Sequence, residues 1–341
     1  MRRRPTSAPA PDLAAHLRPL PVRCELSVED VARRYLEREE AEGRRSIIDA
    51  RSSVQRHIIG ILGRMRADEV TPRHAEAFVR SLTAAGYAGA TVVRLKSYLS
   101  RVLDLAVELG AAPRNPCRDL PRGTLPSREP REPERGLLEV LSLDEIHRLL
   151  STCPVSRLLV WAVYLLTGVR FGEGAALRWS DLHEASPLAE LTVSRSWSSR
   201  LRSIGPTKTG YSRRIPVHPQ LQRWLDQARE ARQPEADELI LTGCGQEPRL
   251  EQWTLKAWHG DLRQAGIADP STGPRRLHSA RHTFASQLVR AGVAESLVES
   301  LTHRRSRGRS ESCVAIYAHE SWERKCSAIL ALRVEVDREA G

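Results

Sequence analysis

The run AAPRNPCRDLPRGTLPSREPREPERG, residues 111–136, constrains the chain more than any other stretch. It holds six prolines and charges of both signs. Proline lacks the N–H a helix needs and clashes with the preceding turn, so no helix continues through such a run. It has too few apolar residues to build a core, and it reads as a semi-rigid spacer. A 341-residue chain cut there must fold as two separate parts. The boundaries predicted are a flexible basic lead over 1–25, a helical domain over 26–112, a Pro-rich linker over 113–136, and a second domain over 137–341 that ends in a tail helix.

Before the linker, helical periodicity dominates. Ser27 is placed to cap a helix whose apolar positions are Val28, Val31, Ala32, Tyr35 and Leu36. A second helix is marked by Ile47, Arg51, Val54, Ile58 and Leu62. Thr71-Pro72 opens a third, with Ala75, Phe78, Val79 and Leu82 on one face. Thr91 opens a fourth that runs to Leu109. Four helices with short connections predict a small bundle. After the linker, Ser142 and Glu145 form a capping-box pattern. An apolar helix then runs to Gly168. ELTVSRSW and SRRIPVH read as strands flanking a turn region, and helices follow over 219–232, 252–265, 280–291, 294–301 and 321–333. The fold class is mainly α with a small antiparallel β-sheet.

The formal net charge of +11 favours a polyanionic partner. Nucleic acid is preferred to a membrane, because no apolar run is long enough to span a bilayer and no basic amphipathic helix stands out. The basic N-terminus lacks the apolar core of a secretion signal. The six cysteines are scattered with no C-x-x-C pair, which disfavours a zinc site and a disulfide framework and fits a reducing cytoplasm.

Four separated features bear on chemistry. In TGVRFGEGAALRW, Arg170 follows a helix end and Glu173 stands three residues on, placed to hold its guanidinium. Taken alone, this is also how an ordinary solvated arginine looks. The segment 195–214 carries Arg195, Arg200, Arg202, Lys208, Arg213 and Arg214 without an acidic residue, which suits a phosphate backbone. In GPRRLHSARHTFASQLVRAGV, His278 and Arg281 meet at a helix start beside Arg275 and Arg276, an anion site by its dipole and free N–H groups. Phe284, Leu288 and Val289 are read as the face that docks this helix. His278 and His282 have zinc-helix spacing but enclose an arginine and lack the glutamate base, so metal binding is disfavoured. Last comes THRRSRGRSESCVAIYAHES, with His303, Arg304, Arg305 and Tyr317. Together these groups meet the needs of phosphoryl transfer without a metal. Two arginines neutralise the non-bridging oxygens, a lysine or histidine protonates a leaving oxygen, and a histidine of near-neutral pKa relieves a tyrosine of its proton.

In that order and spacing, the motifs resemble those of the tyrosine recombinases, or phage integrases. TGVRFGEGAALRW is similar to the family's first arginine box, PTKTGYSRRIPV to its lysine hairpin, LHSARHTFASQLVRAGV to its H-x-x-R box, and LTHRRS with IYAH to its last two boxes. The resemblance covers residues from about 27 to 330. It implies a helical, SAM-like core DNA-binding domain followed by a catalytic domain. It implies that Arg170 and Arg281 clamp the scissile phosphate and that Glu173 supports Arg170. Lys208 would protonate the leaving 5′-oxygen, His278 would act as acid/base toward the tyrosine, and His303 would hydrogen-bond the phosphate. Tyr317 would be the nucleophile, forming a 3′-phosphotyrosine without metal, cofactor or ATP. The implied partner is double-stranded DNA at specific core sites, bound by a homotetramer whose C-terminal helix packs either in cis or on a neighbouring subunit. The implied location is cytoplasmic, on the nucleoid when bound.

Two departures stand in the last boxes. Thr302 occupies the place where the family usually has glycine. The interval from His303 to Tyr317 is longer than the family's usual one, by a basic insertion, RRSRGRS. A DNA-binding homologue that has lost catalysis is therefore the alternative reading. A type IB topoisomerase fits less well, given the separate helical domain and the tail after Tyr317.

Overall fold

Ser27 begins the first helix as its hydroxyl accepts the Asp30 N–H at 3.1 Å, while the Asp30 carboxylate accepts the Ser27 N–H at 3.0 Å. This capping box starts α1 (Val28–Ala41) in a computed structural model that describes residues 25–44, 46–121, 123–126, 139–207, 210–242, 247–271, 273–302 and 321–339. The expected lead, up to residue 24, lies outside the described residues. The chain divides into two compact units, Met1–Arg131 and Glu132–Gly341. Most described residues are helical, and the strands form small antiparallel sheets.

In the first unit, α1 buries Val28, Val31, Ala32, Tyr35 and Leu36, the positions its period predicts. The second helix departs from regularity. α2 (Ile47–Ser53) passes into a π-helical stretch (Val54–Ile59) and then α3 (Gly60–Leu62). The buried residues there, Val54, Ile58 and Leu62, recur in steps of four. A step of four lies between the α-helical turn and the wider π turn, so the row, which spans both windings, drifts one way and then back and stays on one face. Arg51, expected with them, instead reaches Glu40 at 2.8 Å on the surface. α4 (Pro72–Ala84) and α5 (Gly89–Glu108) complete the bundle.

The linker begins later than its prolines suggest. Pro116 starts a 3-10 turn (Pro116–Asp119) capped by Asn115. The buried Asn115 amide donates to the Ser100 carbonyl at 2.9 Å and to Asp104 Oδ1 at 2.8 Å, and its oxygen accepts the Cys117 N–H at 2.9 Å. Ala111, Ala112 and Cys117 lie in the core of this unit, and Leu120 and Leu125 pack against it. One capping side chain thus folds back a segment that composition assigns to a spacer.

In the second unit, α6 (Leu143–Thr152) carries the Ser142–Glu145 capping box. α7 (Val155–Thr167) is buried over nearly its whole length and forms the centre of the core. After α8 (Phe171–Gly174), strands β1 (Leu182–His183), β2 (Glu190–Val193) and β5 (Arg213–Pro216) make one sheet, with Leu191 opposite Ile215. β3 (Arg195–Ser198) and β4 (Ser203–Pro206) form a separate hairpin. The expected turn region therefore contains a strand, and ELTVSRSW is two strands rather than one. Arg202, at φ 47°, supplies the left-handed residue in the hairpin turn. α9 (Pro219–Arg232), α10 (Glu251–Gln264), α11 (Ser279–Arg290), α12 (Glu295–Thr302) and α13 (Trp322–Leu330) complete the unit.

Two packing expectations are corrected. Phe284 and Leu288 are buried on α11, but Val289 is 46% exposed, one helical step away from the core-facing row. The tail helix ends at Leu330, so Leu332 falls in the turn that leads into an irregular segment beyond it. That segment docks on its own unit: Leu332, Val334 and Val336 are buried, and His218, Arg223 and Trp224 bond its carbonyls at 2.6–2.8 Å.

Candidate active site

Gly168 ends α7 in the left-handed region at φ 62°. A Cβ there would lie 2.3 Å from Cδ1 of Phe284 on α11, so only glycine lets the two helices meet. The chain then turns through Arg170 into α8. Two more glycines seat this short helix. A Cβ on Gly172 would lie 2.4 Å from the Trp197 carbonyl of β3, and one on Gly174 would lie 2.5 Å from the Tyr164 ring of α7.

That seating puts Glu173 at the centre of the site, 2% exposed. Its carboxylate accepts the Arg170 N–H at 2.9 Å and Arg170 Nη1 at 2.9 Å. It also accepts Nη1 and Nη2 of Arg213, from β5, at 3.1 and 2.7 Å. Burial alone would raise its pKa. The Arg213 hydrogen bond and charge, then the backbone and side-chain hydrogen bonds of Arg170, overcome this and hold it at about 2. The expected support of Arg170 by Glu173 is present in the geometry, but Glu173 is shared with a second arginine.

Arg281, in the first turn of α11, is 3% exposed. It donates to the carbonyls of Gly168 and Thr302, tying together the ends of α7 and α12. Burial first, then the charges of Arg170 and Arg213, push its guanidinium down to about 9, so it stays charged at neutral pH. Three guanidiniums, Arg170, Arg213 and Arg281, thus surround one carboxylate, which leaves two positive charges unbalanced. An anion is the natural complement of such a site.

His278 immediately precedes α11 and is open to solvent on one side. Desolvation on its packed side, then His282, Arg281, Arg170 and Arg276, push its imidazole down to about 4. The near-neutral value expected for it is therefore corrected: burial, then surrounding positive charge, keeps it unprotonated at pH 7 and free to accept a proton.

The remaining basic residues divide. Of those expected on the DNA-facing surface, Arg213 is half-buried and Arg275 is buried. Arg213 also donates Nε to the Leu301 carbonyl at 3.0 Å, and Arg275, 5% exposed, donates to the Ala268 carbonyl. The absence of acids within 195–214 misleads, because acids arrive from elsewhere in the fold. Arg195 pairs with Asp181 at 2.6 Å, Arg214 with Glu190 at 3.1 Å, and Arg202 approaches Glu247 at 3.8 Å. Arg276 pairs with Glu139 at 3.1 Å. Arg202, Arg214 and Arg276 keep 65–69% of their side chains exposed. Arg200 lies in the β3–β4 turn.

Lys208, His303, Arg304, Arg305 and Tyr317 lie outside the described residues. Their described neighbours are well fixed. Thr207 donates to the Tyr211 carbonyl at 2.8 Å, and Thr302, directly before His303, is 2% exposed with its carbonyl on Arg281.

Three contributors escaped the sequence reading: Arg213 as a second partner of Glu173, and the carbonyls of Gly168 and Thr302. Arg213 did leave a signal. It alternates with Ile215 and Val217, both buried, so period two turns it inward. The two carbonyls left none, since any residue supplies one.

The site sets fixed guanidiniums beside an unprotonated imidazole, an arrangement complementary to an oxyanion. Family comparison agrees with the fold that builds it. Residues 139–324 match the model of the phage integrase family, and residues 28–122 match that of the phage integrase central domain. The chain belongs to the phage integrase, or tyrosine recombinase, family. It is 25% identical over 276 residues to the ICEBs1 integrase of Bacillus subtilis, covering 78% of this chain and 71% of that one. It is 29% identical over 195 residues to the tyrosine recombinase XerD of Listeria monocytogenes, covering 54% and 59%. Its fold is similar to that of lambda integrase, solved as a dimer bound to a COC′ core site. That match has a TM-score of 0.60 and 18% identity, and covers 82% of this chain and 96% of the other.

Proposed function

We propose that this protein is a site-specific DNA recombinase that cuts and rejoins DNA through a 3′-phosphotyrosine at Tyr317. The observation that carries the reading is the pair of unbalanced positive charges at Arg170, Arg213 and Arg281, beside an unprotonated His278. Arg170 and Arg281 bind the scissile phosphate, Arg281 through the guanidinium N–H groups that the Gly168 and Thr302 carbonyls leave unused. Arg213 and Glu173 hold Arg170 in place. His278 takes the proton of Tyr317, whose oxygen attacks phosphorus as the P–O5′ bond breaks. Lys208 gives a proton to the leaving 5′-oxygen, and His303 bonds the phosphate. The new P–O bond conserves the energy of the old one, so rejoining needs no ATP. The substrate is double-stranded DNA carrying specific core sites, bound by a tetramer, and the DNA-bound dimer of lambda integrase supports such an assembly. The reaction takes place in the cytoplasm, on the nucleoid.

The experiment is a suicide duplex nicked near the cleavage site, incubated with the protein and resolved under denaturing conditions. A covalent adduct that is lost in Tyr317→Phe is the expected result. A protein that binds the duplex specifically yet gives no adduct at any pH or salt would instead be the catalytically impaired homologue.

A further inference from the structure

His278, at the N-cap of α11, pairs with His282 in its first turn, a partner that the proposed chemistry does not use. The His278 and His282 rings meet at right angles with centroids 4.8 Å apart. Two protons on the pair would set like charges at that distance, so it takes up its first proton far more readily than its second. The surroundings of the two rings differ. His278 faces the positive groups of His282, Arg281, Arg170 and Arg276. Burial pushes the His282 imidazole down too, but it faces the Glu139 carboxylate, which favours its charged form, as well as Arg281 and Arg276. Glu139 is 3% exposed and is held by Arg276 Nη2 at 3.1 Å. Its neighbour Leu141 is clamped to the same helix: the N–H of Leu141 donates to Thr283 Oγ1 at 3.0 Å, and its carbonyl accepts from Gln287. Glu139 is therefore fixed alongside the helix that carries His282.

We propose that His282 and Glu139 are positioning residues for His278: His282 holds the His278 ring edge-on, and Glu139 draws the pair's first proton to His282. The inference rests on the acid/base role proposed for His278. The perpendicular ring stops His278 from rotating away from the arginines. A proton from solvent settles on His282, where a carboxylate faces it, and His278 stays free to receive the proton of the tyrosine.

Two readouts test this on the full chain. The first is titration of the histidine rings by nitrogen–proton NMR without DNA. The second is the pH profile of single-turnover cleavage of the nicked duplex. Glu139→Gln removes the carboxylate's pull, and His282→Phe keeps a ring in place while removing the competing proton site. Each variant is expected to raise the His278 titration midpoint by about half a unit to one unit, and to move the acid limb of the cleavage profile to higher pH by a similar amount. His282→Ala should also lower the plateau, because the ring contact is gone. An unshifted His278 midpoint in both Glu139→Gln and His282→Phe overturns the proposal. So does a loss of cleavage that is uniform across pH with the limb unmoved. If the midpoints shift but no protein yields an adduct, the coupling of the pair stands and the recombinase reading is what fails.

Discussion

Glu173 has four N–H donors from two arginines and almost no contact with water. Removing its charge leaves Arg170 and Arg213 facing each other and Arg281 without compensation. Taking one partner from a buried ionic group costs about 3–5 kcal/mol, mostly the penalty of the stranded charges. Glu173→Gln should therefore lower the urea midpoint of the second unit substantially, and a loss below about 1 kcal/mol would show that the arginines find other partners. Gly168 tests the same site from the backbone. Gly168→Ala adds left-handed strain of about 1–2 kcal/mol and a collision with Phe284 that costs about 1–3 more. Gly292, at φ 81° with open space around it, isolates the first of these. Gly292→Ala should cost about 1–2 kcal/mol in thermal denaturation, and Gly168→Ala clearly more. Equal losses would mean that the helices part easily at Gly168. At this scale the sequence spoke through residue type. Arg170, Glu173, His278 and Arg281 stood out because their spacing suited a job. Arg213 was hidden inside a basic run, and the carbonyls of Gly168 and Thr302 had no distinguishing chemistry to read.

Among the elements, those with a strong period were legible. α1, α4 and α5 bury the residues their patterns predict, because an apolar stripe has only one way to leave water. The π-helical stretch was not legible as such, although the four-residue steps Val54, Ile58 and Leu62 were in plain view. The β3–β4 hairpin was missed because its strands carry no alternation: all four β3 residues are half-buried. The turn at Asn115 was missed because composition averages over a segment, whereas a cap depends on one side chain. That turn yields a prediction. Asn115→Ala takes the acceptor from the buried Cys117 N–H and leaves Asp104 with Arg118 alone, and should cost about 1–3 kcal/mol. The 3-10 turn would then fray, and trypsin should cut after Arg114 or Arg118 faster than in the native protein. Unchanged cleavage at both sites would mean that Pro116 and Cys117 hold the turn without the cap.

At the scale of the whole molecule, acid should act on the two units unequally, and the chain reports on them separately. His278, His282 and His218 in the second unit, and His57 in the first, all have pKa values below their ordinary 6.5; burial is the leading cause for each. A histidine whose folded pKa is depressed takes up its proton in the unfolded chain first. Its contribution is thus intact above pH 6.5 and is lost as pH falls from there toward the folded value, which for His278 is about 4. Glu173, held at about 2, gives up its contribution only further down, between 4.5 and 2. Stability of the second unit should therefore be level from pH 8 to 6.5 and decline from 6.5 to 4, with three such histidines among its described residues to one among those of the first unit. All seven tryptophans, Trp161, Trp179, Trp197, Trp224, Trp253, Trp258 and Trp322, fall in the second unit. Their fluorescence follows that unit alone, while far-ultraviolet circular dichroism follows the helices of both. Urea titrations at pH 8, 6.5, 5 and 4 should show the two signals separating as pH falls, with the fluorescence midpoint moving first. A fluorescence midpoint that holds steady down to pH 4.5 would mean that the histidines, His278 foremost, are as well solvated in the folded protein as in the unfolded chain. The unprotonated imidazole on which the proposed proton transfer depends would then have no physical basis.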